Sequence, residues 1–229
     1  MMNEMSGQGD LPVPEASVGG SYGHGLATLR KFFLEVLLIT LVVMVLSGPV
    51  WWTEAIEDRA TDWDSGVSVI LQLFAMGFWL LILGPVEWGA DYAMLKAVRG
   101  QKPEFLDIFV FQKNYLNVVL AHLLTSVIIA VGLFFLIVPG IIFACKLAFV
   151  PYLVTDRKME ATEAIRESWR MTTGHGGTIF LIGLIAIPLA IAGILMLGVG
   201  IVLAIMWISL AFAAIFSAVS NRDLPAEKV

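Results

Sequence analysis

The chain has 229 residues, of which 59% are hydrophobic and 14% charged, against roughly 45–50% apolar and about 25% charged in an average soluble domain. Mean hydropathy is +0.86, and the apolar residues fall in long blocks, which excludes an ordinary water-soluble core. The net charge of −5 by itself argues against nucleic acid or anionic lipid as a partner, although the distribution of charge along the chain carries more information than its sum, and the single cysteine, Cys145, excludes an intrachain disulfide or a cysteine metal cluster.

Residues 1–29 are rich in Gly, Ser, Pro and acids and lack the basic start and apolar core of a signal peptide, so they predict a disordered cytoplasmic tail. The first apolar run, residues 32–51, is about 20 residues long and matches a hydrocarbon core of ~30 Å at ~1.5 Å per residue. Trp51 and Trp52 mark its interface. A second span is predicted over 67–86. Its polar continuation from Glu87 to Arg99 reads as helix that projects beyond the membrane, stopped by Gly100 and Pro103.

From Tyr115 to Thr155 the only formal charge is Lys146, and the stretch is too long for one span. It predicts two, near 115–137 and 140–155, turning at Pro139-Gly140. Gly176 to Ser220 carries no charge and predicts two more, near 178–197 and 199–219, turning around Gly198-Val199-Gly200. Between the hairpins Ala161, Ala164, Ile165, Ser168, Trp169 and Thr172 share one helical face, with Glu163, Arg166, Glu167 and Arg170 opposite, the pattern of an interfacial amphipathic helix. Pro103 to Phe111 precedes the first hairpin as this segment precedes the second, a weak tandem repeat of about 60 residues. The fold class predicted is all-α, a polytopic bundle of six spans with a cytoplasmic amphipathic helix before each of the two C-terminal hairpins, closed by a cytoplasmic tail over 221–229.

Cations set the predicted orientation. They cluster at Arg30 and Lys31, at Lys96, Arg99, Lys102 and Lys113, and at Arg157, Lys158, Arg166 and Arg170. The loop over 52–66 carries Glu54, Glu57, Asp58, Asp62 and Asp64 against Arg59 alone. The positive-inside rule then puts both termini in the cytoplasm.

Four segments taken together, Leu95–Pro103 (LKAVRGQKP), Leu136–Gly140 (LIVPG), Glu163–Trp169 (EAIRESW) and Met171–His175 (MTTGH), resemble an uncharacterised bacterial family of six-span membrane proteins. That family is catalogued as a domain of unknown function and is similar to the membrane domain fused to some bacterial glycerophosphodiester phosphodiesterases. The resemblance covers roughly Phe78 to Val219 and implies a bacterial plasma-membrane protein with no catalytic residues to transfer. The chain departs from the pattern after His175, where Gly176-Gly177 replaces a longer basic run.

The candidate polar residues within the membrane are Lys146, His122, Thr125, Ser126, Glu35 and Glu87. An ammonium inside a span is a functional candidate by default. Near an outer helix start, however, snorkelling outward is the plain account of Lys146. His122, Thr125 and Ser126 share a face that suits either a polar cavity or interhelical hydrogen bonds. Glu35 has Lys31 one turn away, and Glu87 sits at the exit of the second span. Gly183, Ala186, Ala190 and Gly193 form a small-residue packing seam, with Pro188 in the same helix.

No HExxH or paired-cysteine motif occurs, and no enzyme, cofactor or metal site is predicted. The first functional expectation is a non-enzymatic membrane module that interacts with lipids or proteins, with Lys96, Arg99, Lys102, Arg166 and Arg170 on lipid headgroups. The alternative is a small transporter or channel built from two helical-hairpin repeats, and an intramembrane enzyme ranks third. Expected partners are membrane lipids, with a second copy or another membrane protein beside them.

Overall fold

The computed structural model describes residues 11, 14–48, 65–196 and 199–222. Trp51, Trp52, the acidic loop residues Glu54 to Asp64 and the C-terminal tail beyond Arg222 lie outside them. The described residues form helices only: α1 (Val18–Lys31), α2 (Phe33–Leu46), α3 (Ser65–Phe78), a π-helical turn (Trp79–Leu83), α4 (Gly84–Val98), a 3₁₀ segment (Phe105–Asn114), α5 (Tyr115–Phe135), α6 (Ile137–Leu147), α7 (Val150–Thr155), α8 (Ala161–Met171), α9 (Gly176–Leu195) and α10 (Val199–Arg222). Five stretches are long and apolar enough to cross a membrane, Gly66–Val98, Phe105–Phe135, Ile137–Thr155, Gly176–Leu195 and Val199–Asn221, and Phe33–Leu46 is a shorter apolar helix. The chain is an integral membrane protein of the helical-bundle type.

The expectation of disorder up to Leu29 is corrected over Val18–Leu29, which form α1. Ser17 caps it by accepting the Gly20 N–H at 3.0 Å. Glycine lowers its intrinsic helix propensity, and packing overrides that cost. Ser21, Tyr22, Gly25, Thr28 and Leu29 form a buried stripe. The Tyr22 hydroxyl donates to the Ile182 carbonyl of α9 at 2.9 Å, and Trp207 of α10 donates its indole N–H to the Tyr22 carbonyl at 2.9 Å. His24 Nε2 lies 2.9 Å from the Val98 carbonyl. Gly25 packs closely on the backbone of Leu210 and Ala211, 3.3–3.4 Å from where a Cβ would stand.

The first hairpin turns at Leu136, not at Pro139-Gly140. Leu136 alone is extended (φ −161°, ψ 143°). Pro139 sits in the first turn of α6, where its missing N–H leaves no helical bond unmade. A Cβ on Gly132 would come 2.6 Å from Phe143 and 2.9 Å from Gly140, so glycine on both arms sets the close crossing. In the second hairpin Gly193 lies equally close to Gly200 and Ile201, whereas Gly183 has open space around it. The predicted seam therefore makes contact at its Gly193 end.

The spanning stretch Ile137–Thr155 is broken between α6 and α7. Ser168 of α8 fills the break, donating to the Lys146 carbonyl at 2.7 Å and accepting the Phe149 N–H at 3.3 Å. The apolar stripe of α8 (Ala161, Ala164, Ser168, Met171) is buried against protein, and only Trp169, 42% exposed, remains at the rim. The segment before the first hairpin is a 3₁₀ helix, seated on α4 where Gly89 leaves room for the Ile108 backbone. Where α4, α7 and the second half of α10 meet, Leu95, Phe149, Leu153 and Phe216 are fully buried. Most of the large apolar side chains of α3 are exposed, Ile70 by 67% and Met76 by 60%, a surface suited to hydrocarbon.

Candidate functional site

The π turn ahead of α4 follows from Pro85. Proline has no N–H to return to the Leu81 carbonyl, the helix widens there, and the Gly84 N–H bonds to Trp79 instead. Tyr115 takes the released acceptor, its hydroxyl donating to the Leu81 carbonyl at 2.6 Å. One turn further on, Glu87 and Asp91 stand at i and i+4 and project on the same side as Ala90 and Met94. This face meets Thr40, Val43, Met44 and Ser47 of α2 and its end and Ile201, Ile205 and Ser209 of α10. Between them is a cleft of about 430 Å³.

The cleft is apolar apart from these two carboxylates and a few hydroxyls. Thr40 and Ser47 spend their hydroxyls on the Val36 and Val43 carbonyls of α2, at 2.9 Å each. No Lys, Arg or His lines it among the described residues, and none of the ion pairs found there includes Glu87 or Asp91. Asp91 lies about 12 Å along the helix from Arg99 at ~1.5 Å per residue, and Glu87 about 18 Å. Asp91 was missed in the sequence because Glu87 to Arg99 reads as polar helix beyond the membrane. Its i, i+4 spacing from Glu87, beside Ala90 and Met94, was the available signal.

The other predicted polar residues do not join this cleft. His122 sits between Trp79 and Trp88, tilted against the first ring and edge-on to the second, with centroids 4.5 Å and 5.4 Å away, over Gly84, whose missing Cβ is what admits the imidazole. Thr125 is buried beside it, and neither His122 Nδ1 nor Thr125 Oγ1 has a hydrogen-bond partner. Ser126 donates to the His122 carbonyl at 2.8 Å. Glu35 accepts from Lys102 at 3.2 Å, a pairing across the bundle that local spacing does not disclose.

Lys146 reaches not outward but toward the junction of α8 and α9. It donates to Thr173 Oγ1 at 3.0 Å and lies 5.7 Å from the Trp169 ring centroid. The cations expected on lipid headgroups are largely engaged within the chain. Lys96 pairs with Asp107 at 2.8 Å, Arg99 with Asp156 at 2.7 Å, and Arg170 with Glu167 at 2.7 Å, while Arg166 is exposed on α8.

The fold and this cleft define a multi-span helical membrane protein with a carboxylate-bearing cavity. No family model matches the chain, and no solved structure matches it.

Proposed function

We propose that this protein is a small membrane carrier that binds a lipophilic cation in the cleft between α2, α4 and α10 and exchanges it for protons on Glu87 and Asp91. The observation that carries this reading is the pair of carboxylates one turn apart on α4, lining a cavity with no protein cation among the described residues. A carboxylate in a low-dielectric site is stable only when neutralised, by a proton or by a bound cation. The two occupants exclude one another, and that exclusion is the elementary requirement for exchange.

Val43, Met44, Met94, Ile201 and Ile205 supply apolar walls for the body of the ligand. The two methionines can repack around different shapes. The basic segments at Lys96–Lys102 and Arg157–Arg170 support an orientation with that end in the cytoplasm. The resemblance to a bacterial six-span family supports a plasma-membrane location.

The test is binding of tetraphenylphosphonium to the purified full chain in nanodiscs, with proton release followed in weak buffer. Binding with proton release is expected for the wild type. Glu87→Gln or Asp91→Asn should each weaken binding about tenfold, the effect of losing roughly 1.4 kcal/mol, and the double variant should lose the proton signal. Undiminished binding by a folded double variant would overturn the reading and leave the carboxyls as a structural pair.

A further inference from the structure

We infer that the groove between α6 and α9 is a binding site for one anionic phospholipid, with its phosphate on Lys146 and an acyl chain laid along Val138, Ile141, Ile142 and Phe180. This site is separate from the carboxylate cleft and does not depend on it.

The argument begins with an uncompensated charge. An ammonium within a span costs roughly 2.5–3.5 kcal/mol on insertion scales and calls for a counter-charge. Lys96, Arg99, Lys102 and Arg170 each have a carboxylate within 4.0 Å, whereas no described carboxylate lies that close to Lys146. Its contacts are the Thr173 hydroxyl and the Trp169 ring, which fix its position without neutralising it. The Thr173 hydroxyl gives its own proton to the Trp169 carbonyl at 2.8 Å, so its oxygen is oriented to accept from the lysine.

The shape of the cavity supplies the rest. The groove has a volume of about 370 Å³. Lys146 stands at one end, and Val138 lies about 12 Å away along α6 at ~1.5 Å per residue. The intervening wall is apolar and open to the bilayer, with Val138, Ile142 and Phe180 exposed by 66%, 48% and 41%. A polar end joined to an apolar wall that runs in the direction of the hydrocarbon is the outline of a phospholipid. Gly177 lines the charged end without a side chain, and it lies in the first turn of the 20-residue helix α9, whose positive dipole end favours the same anion.

The test is lipid retention by the full chain, reconstituted in phosphatidylcholine with graded phosphatidylglycerol, extracted in mild detergent and weighed intact by native mass spectrometry. One phosphatidylglycerol per chain should survive washing that strips phosphatidylcholine. Lys146→Met should weaken retention about tenfold, Lys146→Arg should restore it, and Ile142→Trp, which keeps the charge and fills the groove, should weaken it as well. Cys145 lines the same groove and is the only cysteine of the chain. Its alkylation by N-ethylmaleimide should therefore slow several-fold in phosphatidylglycerol relative to phosphatidylcholine. Equal retention of the two lipids, unchanged retention in both Lys146→Met and Ile142→Trp, or displacement by millimolar inorganic phosphate would overturn the proposal. The last result would mark a site for the free anion. Should Lys146→Met fail to fold, Ile142→Trp and the alkylation rate decide alone.

Discussion

Ser168 donates its hydroxyl to the Lys146 carbonyl at 2.7 Å, and the same oxygen accepts the Phe149 N–H, so a side chain of α8 completes the backbone of the stretch Ile137–Thr155 where α6 gives way to α7. Pro151 in the first turn of α7 makes that break permanent, because no amide N–H is present there to carry the helix through. Ser168→Ala would leave the buried Phe149 N–H without a partner and the Lys146 carbonyl with only the longer 3.4 Å bond from the Thr172 hydroxyl, at a cost of about 1–3 kcal/mol. The expected outcome is a lower melting temperature in detergent and faster amide exchange at Phe149. An unchanged exchange rate would show that another group satisfies the break.

Gly89 and Gly23 make a contrasting pair. A Cβ on Gly89 would fall on the Ile108 backbone, which has nowhere to move, whereas a Cβ on Gly23 meets nothing within 4 Å. Gly89→Ala is expected to destabilise the bundle by about 1–3 kcal/mol through overpacking. Gly23→Ala should stabilise α1 by up to about 1 kcal/mol through helix propensity. Thermal unfolding of the two variants in one detergent checks both signs, and equal shifts would contradict the close seating of the 3₁₀ segment on α4.

Hydrogen bonds from Arg170 hold the Glu167 carboxyl below its ordinary value of 4.5, with further help from the charges of Arg170 and Arg157. A carboxyl whose value is lowered by folding contributes stability above its unfolded value, and that contribution disappears as pH falls through the folded one. Docking of α8 should therefore hold at neutral pH and loosen on acidification below about pH 4.5. Glu167→Gln should melt lower than wild type at neutral pH and lose less on acidification. Parallel melting curves for the two proteins from about pH 6 to about pH 3 would assign the acid response to other carboxylates.

Apolar blocks of spanning length are a signal that needs no tertiary context, so α5, α9 and α10 lie close to where the sequence predicts them. Periodicity also identified the buried stripe of α8, but a stripe says only that a face is apolar. It does not distinguish protein from lipid as the cover, and in α8 the cover is α5, α6 and α7. The tail was misread for the opposite reason. In α1 the glycines mask a helical stripe of Tyr22, Gly25 and Leu29, whose stability comes from α10, far away in sequence. The Glu35–Lys102 pair is hidden in the same way, since it joins segments 67 residues apart, whereas the spacing of Asp91 from Glu87 is local.

The seating of α1 on α10 also bears on how the protein is made. Tyr22 and Trp207 are separated by 185 positions, and at ~5–20 residues per second a ribosome needs roughly ten to forty seconds to make that stretch. During that interval the stripe of α1 has no counterpart, and the nascent chain carries an unfinished helix at the bilayer surface. The contact between α1 and α10 becomes available only when α10 emerges. A chain cut short before Trp207 therefore lacks the surface that buries Tyr22, Gly25 and Leu29.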